Sequence, residues 1–295
     1  MGVTAERAIV DLLPQYAHRR RAGWAPASIT HDRVTLPEYL LLRRVAIERI
    51  DVPIPFDVLR HNVLDPYSTA DPFLDGLPRL VDMGLLDQSG NEYTVTSSGT
   101  RLLALGERAA NDYAASRVCL PPHDLAQLAS MLDDLATRLH RAPEPAIKSH
   151  QDRVPLLRRF DPRRTPSVRL EYALYALQRA RDDAHISAWR TAGFRGPEIE
   201  VLSHVWNGDA STASELVAVT RNRLHAVHVA ELIADLVQRD LISHERPSVA
   251  LTERGREVRD AIERETDRVY FAPWQDIDAV WIRDRLERLT AGLTD

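Results

Sequence analysis

The chain of 295 residues has a single cysteine, Cys119, and a single lysine, Lys148. One thiol excludes an internal disulfide and any thiolate-rich zinc site, and it fits a reducing compartment. No apolar run approaches the roughly 20 residues that a bilayer span needs. The opening stretch MGVTAERAIVDLLPQYAHRRR has acidic residues where a signal peptide is basic, and it lacks an apolar centre. Glu6 stands where a myristoylation signal requires Ser or Thr. These absences predict a cytoplasmic protein without a membrane segment. Positive charge is also in deficit, since the formal net charge is −5. A protein that grips nucleic acid with its whole surface is usually basic, so any such contact here must come from a local patch. Arginine supplies nearly all the cations, and that skew alone does not mark phosphate binding. The sequence has no glycine-rich phosphate loop, GxSxG elbow, HExxH pair or zinc-ligand spacing, so no cofactor, metal or catalytic set is expected.

What the chain does have is an internal repeat. Residues 73–108, FLDGLPRLVDMGLLDQSGNEYTVTSSGTRLLALGER, align without a gap on residues 229–264, VAELIADLVQRDLISHERPSVALTERGREVRDAIER. Leu80 falls on Leu236, Val81 on Val237, Leu85 on Leu241, Thr96 on Thr252 and Gly99 on Gly255. Self-similarity at long spacing points to one supersecondary unit built twice. Each copy opens with an amphipathic helix, in the second case with Val229, Leu232, Ile233, Leu236 and Val237 as its apolar stripe. An apolar step, a polar tip (QSGNE or HERPS) and a return segment then read as a hairpin. Thr96 and Thr252 are N-cap candidates for a following helix.

The front halves supply two helices more. In the second copy these are GPEIEVLSHVWNG, with Pro197 suited to a first turn, and STASELVAVT, capped by Ser211 or Thr212. RNRLHAVHVAELIADLVQ then becomes the third helix, with arginines and histidines in its leading turns. In the first copy LPEYLLLRRVAIER, PFDVLRHNVL and TADPFLDGLPRLVDMG are the counterparts, and Pro78 makes the third helix kink or start late, near Leu77. Both copies resemble winged helix-turn-helix domains of the MarR-like type. LTERGREVRDAIE is similar to the junction of wing and helix in that group. The stretch from RDDAHISAWRTAGFRGPE to DRVYFAPW resembles an actinobacterial group of winged-helix proteins without an established activity. The resemblance implies a mainly α fold with small β-hairpin wings, two winged helix-turn-helix domains and a helical connector. The expected segments are 1–35 (N-terminal helical segment), 36–118 (first winged-helix domain), 119–193 (connector), 194–272 (second winged-helix domain) and 273–295 (C-terminal helix). Two such units in one chain would match the pseudo-symmetric arrangement that homodimers build from two chains, and monomer and homodimer both stay open.

Within the connector two amphipathic helices are expected, one after the proline pair at 121–122 and one carrying Leu170, Leu174, Leu177 and Ala180. Between them Arg138–Arg164 holds eight basic against three acidic residues and reads as an extended loop.

A recognition helix presents its first residues to base edges and phosphates. Arg221, Arg223, His225 and His228 are therefore the candidate DNA-binding residues, with Arg246 acting from the second hairpin tip. The first copy carries Asp71, Asp75 and Asp82 against Arg79, a face that repels phosphate. The leading expectation is a transcriptional regulator that reads double-stranded DNA through its second domain, with a small-molecule effector or a protein partner as a possible addition. Two alternatives stay open. One is a protein-interaction or ligand-binding module, with Asp182, His185, Trp189, Tyr270 and Trp274 as pocket candidates. The other is an enzyme centred on His185, whose imidazole Asp182 could orient from the preceding helical turn.

Overall fold

The computed structural model describes residues 4–29, 34–48, 52–62, 66–67, 76–220, 223–245 and 247–293. In chain order its elements are α1 (Ala5–Ile29), α2 (Leu36–Glu48), β1 (Ile54–Pro55), α3 (Phe56–Asn62), α4 (Leu77–Asp82), β2 (Leu86–Ser89), β3 (Glu92–Val95), α5 (Ser97–Ser116), α6 (Pro122–Arg141), α7 (Val154–Leu157), α8 (Pro166–Thr191), α9 (Gly196–Asn207), α10 (Ala213–Thr220), α11 (Ala226–Gln238), β4 (Ile242–Glu245), β5 (Ser248–Leu251), α12 (Glu253–Phe271) and α13 (Ala279–Gly292). The protein is mostly helical with small antiparallel sheets. No helix among the described residues is long and apolar enough to cross a membrane.

Two compact units share these elements. The first comprises Met1–Ile50, Val95–Ala184 and Val269–Asp295, and the second Asp51–Thr94 and His185–Arg268. In the first unit the predicted stripe Leu170, Leu174, Leu177 and Ala180 of α8 is buried, together with Leu128, Leu132 and Leu135 of α6 and Ile282 and Leu286 of α13. Ile9 and Leu13 of α1 join the same core. In the second unit Ile199 and Leu202 of α9, Leu216 of α10 and Val229, Leu232, Ile233 and Leu236 of α11 form the core. Val237 departs from the expected stripe: it is 41% exposed. It stands about 100° round the helix from Leu236, at the edge of a face that four residues already fill.

The two aligned segments share local geometry. Gly84 and Asp240 both take positive φ, 67° and 56°, just past α4 and α11. The next amide reaches back in the same way, Leu85 N–H to Leu80 O at 2.9 Å and Leu241 N–H to Leu236 O at 2.9 Å. Such bonds satisfy carbonyls that a helix end would otherwise strand. Thr96 Oγ1 accepts from Gly99 N–H at 3.0 Å, and Thr252 Oγ1 from Gly255 N–H at 2.9 Å. A Cβ on Gly255 would run into the Leu241 carbonyl, so this cap needs glycine. Each hairpin also gains a partner from the chain before its second helix. β1 pairs antiparallel with β3, Ile54 opposite Tyr93, and Thr212 bridges Ser248 of β5. As expected from Pro78, α4 starts at Leu77 with proline in its first turn.

The basic connector loop is not purely extended. Gln151–Arg153 forms a 3-10 turn that leads into α7. Val154, Leu157 and Phe160 are buried, which gives this polar stretch an apolar foothold. Asp183, buried on α8, accepts from the backbone N–H of His150 and Gln151, both at 3.0 Å, and contacts His150 Nδ1 at 2.8 Å. Local composition concealed these long-range anchors.

Truncating Leu236 removes a fully buried side chain from the second core. Leu236→Ala is expected to lower stability by roughly 2–5 kcal/mol. Val237→Ala, one residue on, should cost less than about 1 kcal/mol because its side chain already meets water. Urea unfolding of the two variants measures both, and equal losses would contradict the boundary drawn between them.

Candidate nucleic-acid interface

α10 and α11 are joined by a short turn and pack together, and both pack on α9. Glu198 caps α9 by accepting from Arg195 N–H and from Arg195 Nε, both at 2.8 Å, and Pro197 lies in the first turn. Gly208 closes it at φ 77°. Thr212 caps α10 by accepting from Glu215 N–H at 3.2 Å, while Glu215 reaches back to Ser211 N–H at 2.8 Å. The turn after α10 is tied by Arg223 N–H and Leu224 N–H, which both donate to Thr220 O, at 2.7 and 2.9 Å. Leu224 is buried at 2% exposure, and this holds the chain out of helix until His225. The helix therefore starts at Ala226, later than the sequence suggests.

That delay changes the setting of the predicted residues. Arg223 lies in the turn, not on the helix. Its guanidinium donates to Glu200 Oε1 of α9 at 2.7 Å and stands 5.7 Å from the centre of the Tyr67 ring. His225 is the N-cap of α11 in extended backbone, and its side chain makes no capping bond. His225 is exposed and His228 half-buried, with ring centres 6.0 Å apart. The first turn of α11 carries no acidic residue. Farther along, the exposed face presents Val227, Ala230, Glu231, Ala234 and Asp235. Arg221 and Arg246 lie outside the described residues, as do Asp71 and Asp75.

Glu200 is the residue that sequence reading missed. Its side chain is 10% exposed, and it meets His204 Nε2 at 3.3 Å as well as Arg223. His204 Nδ1 in turn meets Asp209 Oδ2 at 3.0 Å. Burial pushes the Glu200 carboxyl up, but the His204 hydrogen bond and the Arg223 charge outweigh it and hold the group below its ordinary value. The hydrogen bond to Glu200, with help from Asp209, holds His204 above its ordinary value against partial burial. The only signal in the sequence was the Glu-x-x-x-His spacing on α9, which places both side chains on one face.

The pocket candidates divide between the two units. Asp182, in the first unit, pairs with Arg179 at 2.9 Å. His185, in the second, has its Nδ1 3.2 Å from Thr266 Oγ1 and 3.6 Å from Glu263 Oε1, and its ring stacks at 6.3 Å on Tyr67. Trp189 is 3% exposed and 6.1 Å from Tyr67, centre to centre. Glu263 also accepts from the buried Arg259 at 2.7 Å, and Arg259 covers the Trp206 ring at 4.6 Å. Tyr270 and Trp274 lie in the core of the first unit with ring centres 5.5 Å apart. Burial pushes the Tyr270 phenol up. Among the described residues no three His, Cys, Asp or Glu side chains gather as a metal site.

A family model described as "Helix-turn-helix family" matches residues 157–295. This match supports a helix-turn-helix domain in that part of the chain, where α9, α10 and α11 lie. No curated protein and no solved structure matches the chain.

The Glu200 cluster has a pH signature. His204, raised when folded, contributes stability fully below its unfolded value near 6.5 and loses it as pH rises through the folded value. Glu200, lowered when folded, contributes above its unfolded value near 4.5 and loses this as pH falls through the folded value. Both contributions coexist between those limits. The stability gap between the unaltered chain and His204→Gln should thus be wider at about pH 5.5 than at about pH 8.5. Urea midpoints at the two pH values test this, and a gap that grows with pH would contradict it.

Proposed function

We propose that the chain is a cytoplasmic DNA-binding regulator of transcription, with residues 196–251 acting as a winged helix of MarR-like type. The observation that carries the reading is the start of α11: a helix N-terminus without a side-chain cap from His225, free of acids in its first turn, with His225 at the cap position and His228 in the first turn. The positive end of the helix dipole makes such a terminus a phosphate seat. In this reading His225 and His228 contact backbone or base edges, assisted by Arg221 and Arg246. Arg223 braces the turn on Glu200 and orients its neighbours.

The β4–β5 hairpin, bridged to Thr212, plays the wing. Matching helix ends and threonine caps in the aligned segments support a second copy of the unit. That copy has a structural or protein-binding role, since acidic residues precede its third helix. A small-molecule effector is part of the proposal, with Asp182, His185, Trp189, Tyr270 and Trp274 as the residues to probe first.

One observation favours a second reading. Val227 is 60% exposed and shares the outer face of α11 with Ala230 and Ala234. An apolar strip of this kind also suits a protein partner.

Titration of fragmented DNA from the source genome, at low and moderate salt, separates the two. Arg221→Ala combined with His225→Ala should weaken binding about tenfold or more and flatten the salt slope by roughly 0.9 for each phosphate no longer neutralised. Unchanged affinity and slope would end the DNA reading. Loss of DNA binding in Val227→Glu alone cannot rescue it, whereas capture of a protein blocked by that change would support the second.

A further inference from the structure

The basic end of the connector loop closes on α8 in the first unit. Val154, Leu157 and Phe160 bury its apolar side and leave its arginines toward the surface. Arg158, Arg163 and Arg164 of this stretch and Arg169 of α8 line one open depression, together with Asp161 and the buried Tyr172 of α8. Its volume is about 200 Å³, counted with the solvent at its mouth. The guanidinium carbon of Arg158 stands 5.6 Å from the centre of the Tyr172 ring.

Asp161 is the one acid among the described lining residues, and it is already satisfied. It is fully buried. Its Oδ1 accepts from Arg163 Nε and its Oδ2 from Arg163 Nη2, both at 2.7 Å, and Asn111 Nδ2 also donates to Oδ2 at 2.7 Å. Burial pushes this carboxyl up, yet the bonds from Arg163 and Asn111 outweigh it and hold the group below its ordinary value. Arg163 Nη1 donates to Asp112 at 2.6 Å, so each nitrogen of that guanidinium has an acid.

The other three arginines are less well matched. Arg158 and Arg169 share a single carboxylate, Asp133 of α6. Arg158 Nη2 donates to its Oδ1 at 2.9 Å and Arg169 Nη2 to its Oδ2 at 3.4 Å. Among the described residues their Nε and Nη1 groups make no hydrogen bond. Arg164 is exposed and makes no hydrogen bond or ion pair with the described residues. Three guanidiniums thus stand against one carboxylate. Arg158 and Arg169 are only about a third exposed, at 29% and 36%, so water screens their repulsion incompletely and an arriving anion relieves it. The shared carboxylate also holds both guanidiniums in place before a ligand comes.

We propose that this depression binds the phosphate group of a small ligand, with Arg164 as its open donor and Arg158 and Arg169 as its braced ones. Guanidinium forks suit phosphate oxygens, and three separate forks suit an anion with more than the two oxygens of a carboxylate. The volume falls short of the roughly 300–1,000 Å³ of pockets that enclose whole drug-sized ligands, so the site grips one group and leaves the rest of the ligand outside. It lies in the first unit, apart from α11, and is independent of the DNA reading.

Thermal unfolding of the full chain in sodium phosphate, sodium sulfate or sodium acetate, each against sodium chloride at equal ionic strength and without DNA, tests the site. A ligand that binds the folded chain stabilises it by mass action. Phosphate and sulfate are expected to raise the unfolding temperature beyond chloride, and acetate to do so less. Arg164→Ala should bind phosphate about tenfold more weakly, the loss of charge-assisted hydrogen bonds, and being exposed it leaves the core intact. Arg101→Ala, which removes an exposed arginine of α5 that contacts Ser98 on its own helix, should bind phosphate as the unaltered chain does. If phosphate does not exceed chloride, if acetate binds as tightly as phosphate, or if Arg164→Ala binds with unaltered affinity, the proposal is refuted.

Discussion

Glu200 is a carboxylate placed where water barely reaches, on the helix that backs the helix-turn-helix pair. A buried charge without partners costs several kcal/mol, so its neighbours are under constraint. His204 comes from the same helix one turn on, and Arg223 from the turn between α10 and α11. Arg223 is bound to Glu200 through its side chain and to Thr220 through its backbone. The pair thus holds the turn against α9, and Leu224, buried beside it, fixes where α11 begins. The position of the first turn of α11 follows from this one ion pair and one apolar anchor.

The consequence for function is economical. With the turn braced, α11 begins at Ala226 behind an N-cap, His225, whose side chain makes no capping bond. In the proposed reading, a net charge of −5 and acids such as Glu231 and Asp235 farther down the helix leave phosphate contact to this end. In that reading, local placement of a few positive groups takes the role of a general basic surface.

Much of the architecture was legible in the sequence because burial and capping are local rules. The stripes of α8 and α11, the threonine caps and the late start of α4 at Leu77 all follow from spacing and residue type. The edges were harder. Val237 fits the period of α11 but lies beyond the face its partners fill, and the connector loop folds on Asp183, which is more than thirty residues away in sequence. At the candidate interface, the sequence placed Arg221 and Arg223 on the helix itself, whereas α11 begins only at Ala226, after His225. The role of Arg223 was not legible, because its partner lies 23 residues earlier and acts only once α9 and the turn have met. A pair of that kind has no period and no motif.

Hydrogen exchange at the first turn of α11, with and without duplex DNA, tests the central claim most directly. If this terminus seats a phosphate, the amides of Ala226, Val227 and His228 should slow markedly on adding DNA, with smaller changes along the rest of α11. If DNA is present at saturating concentration and these amides exchange at the same rate, the helix start is a solvated end and the account is wrong.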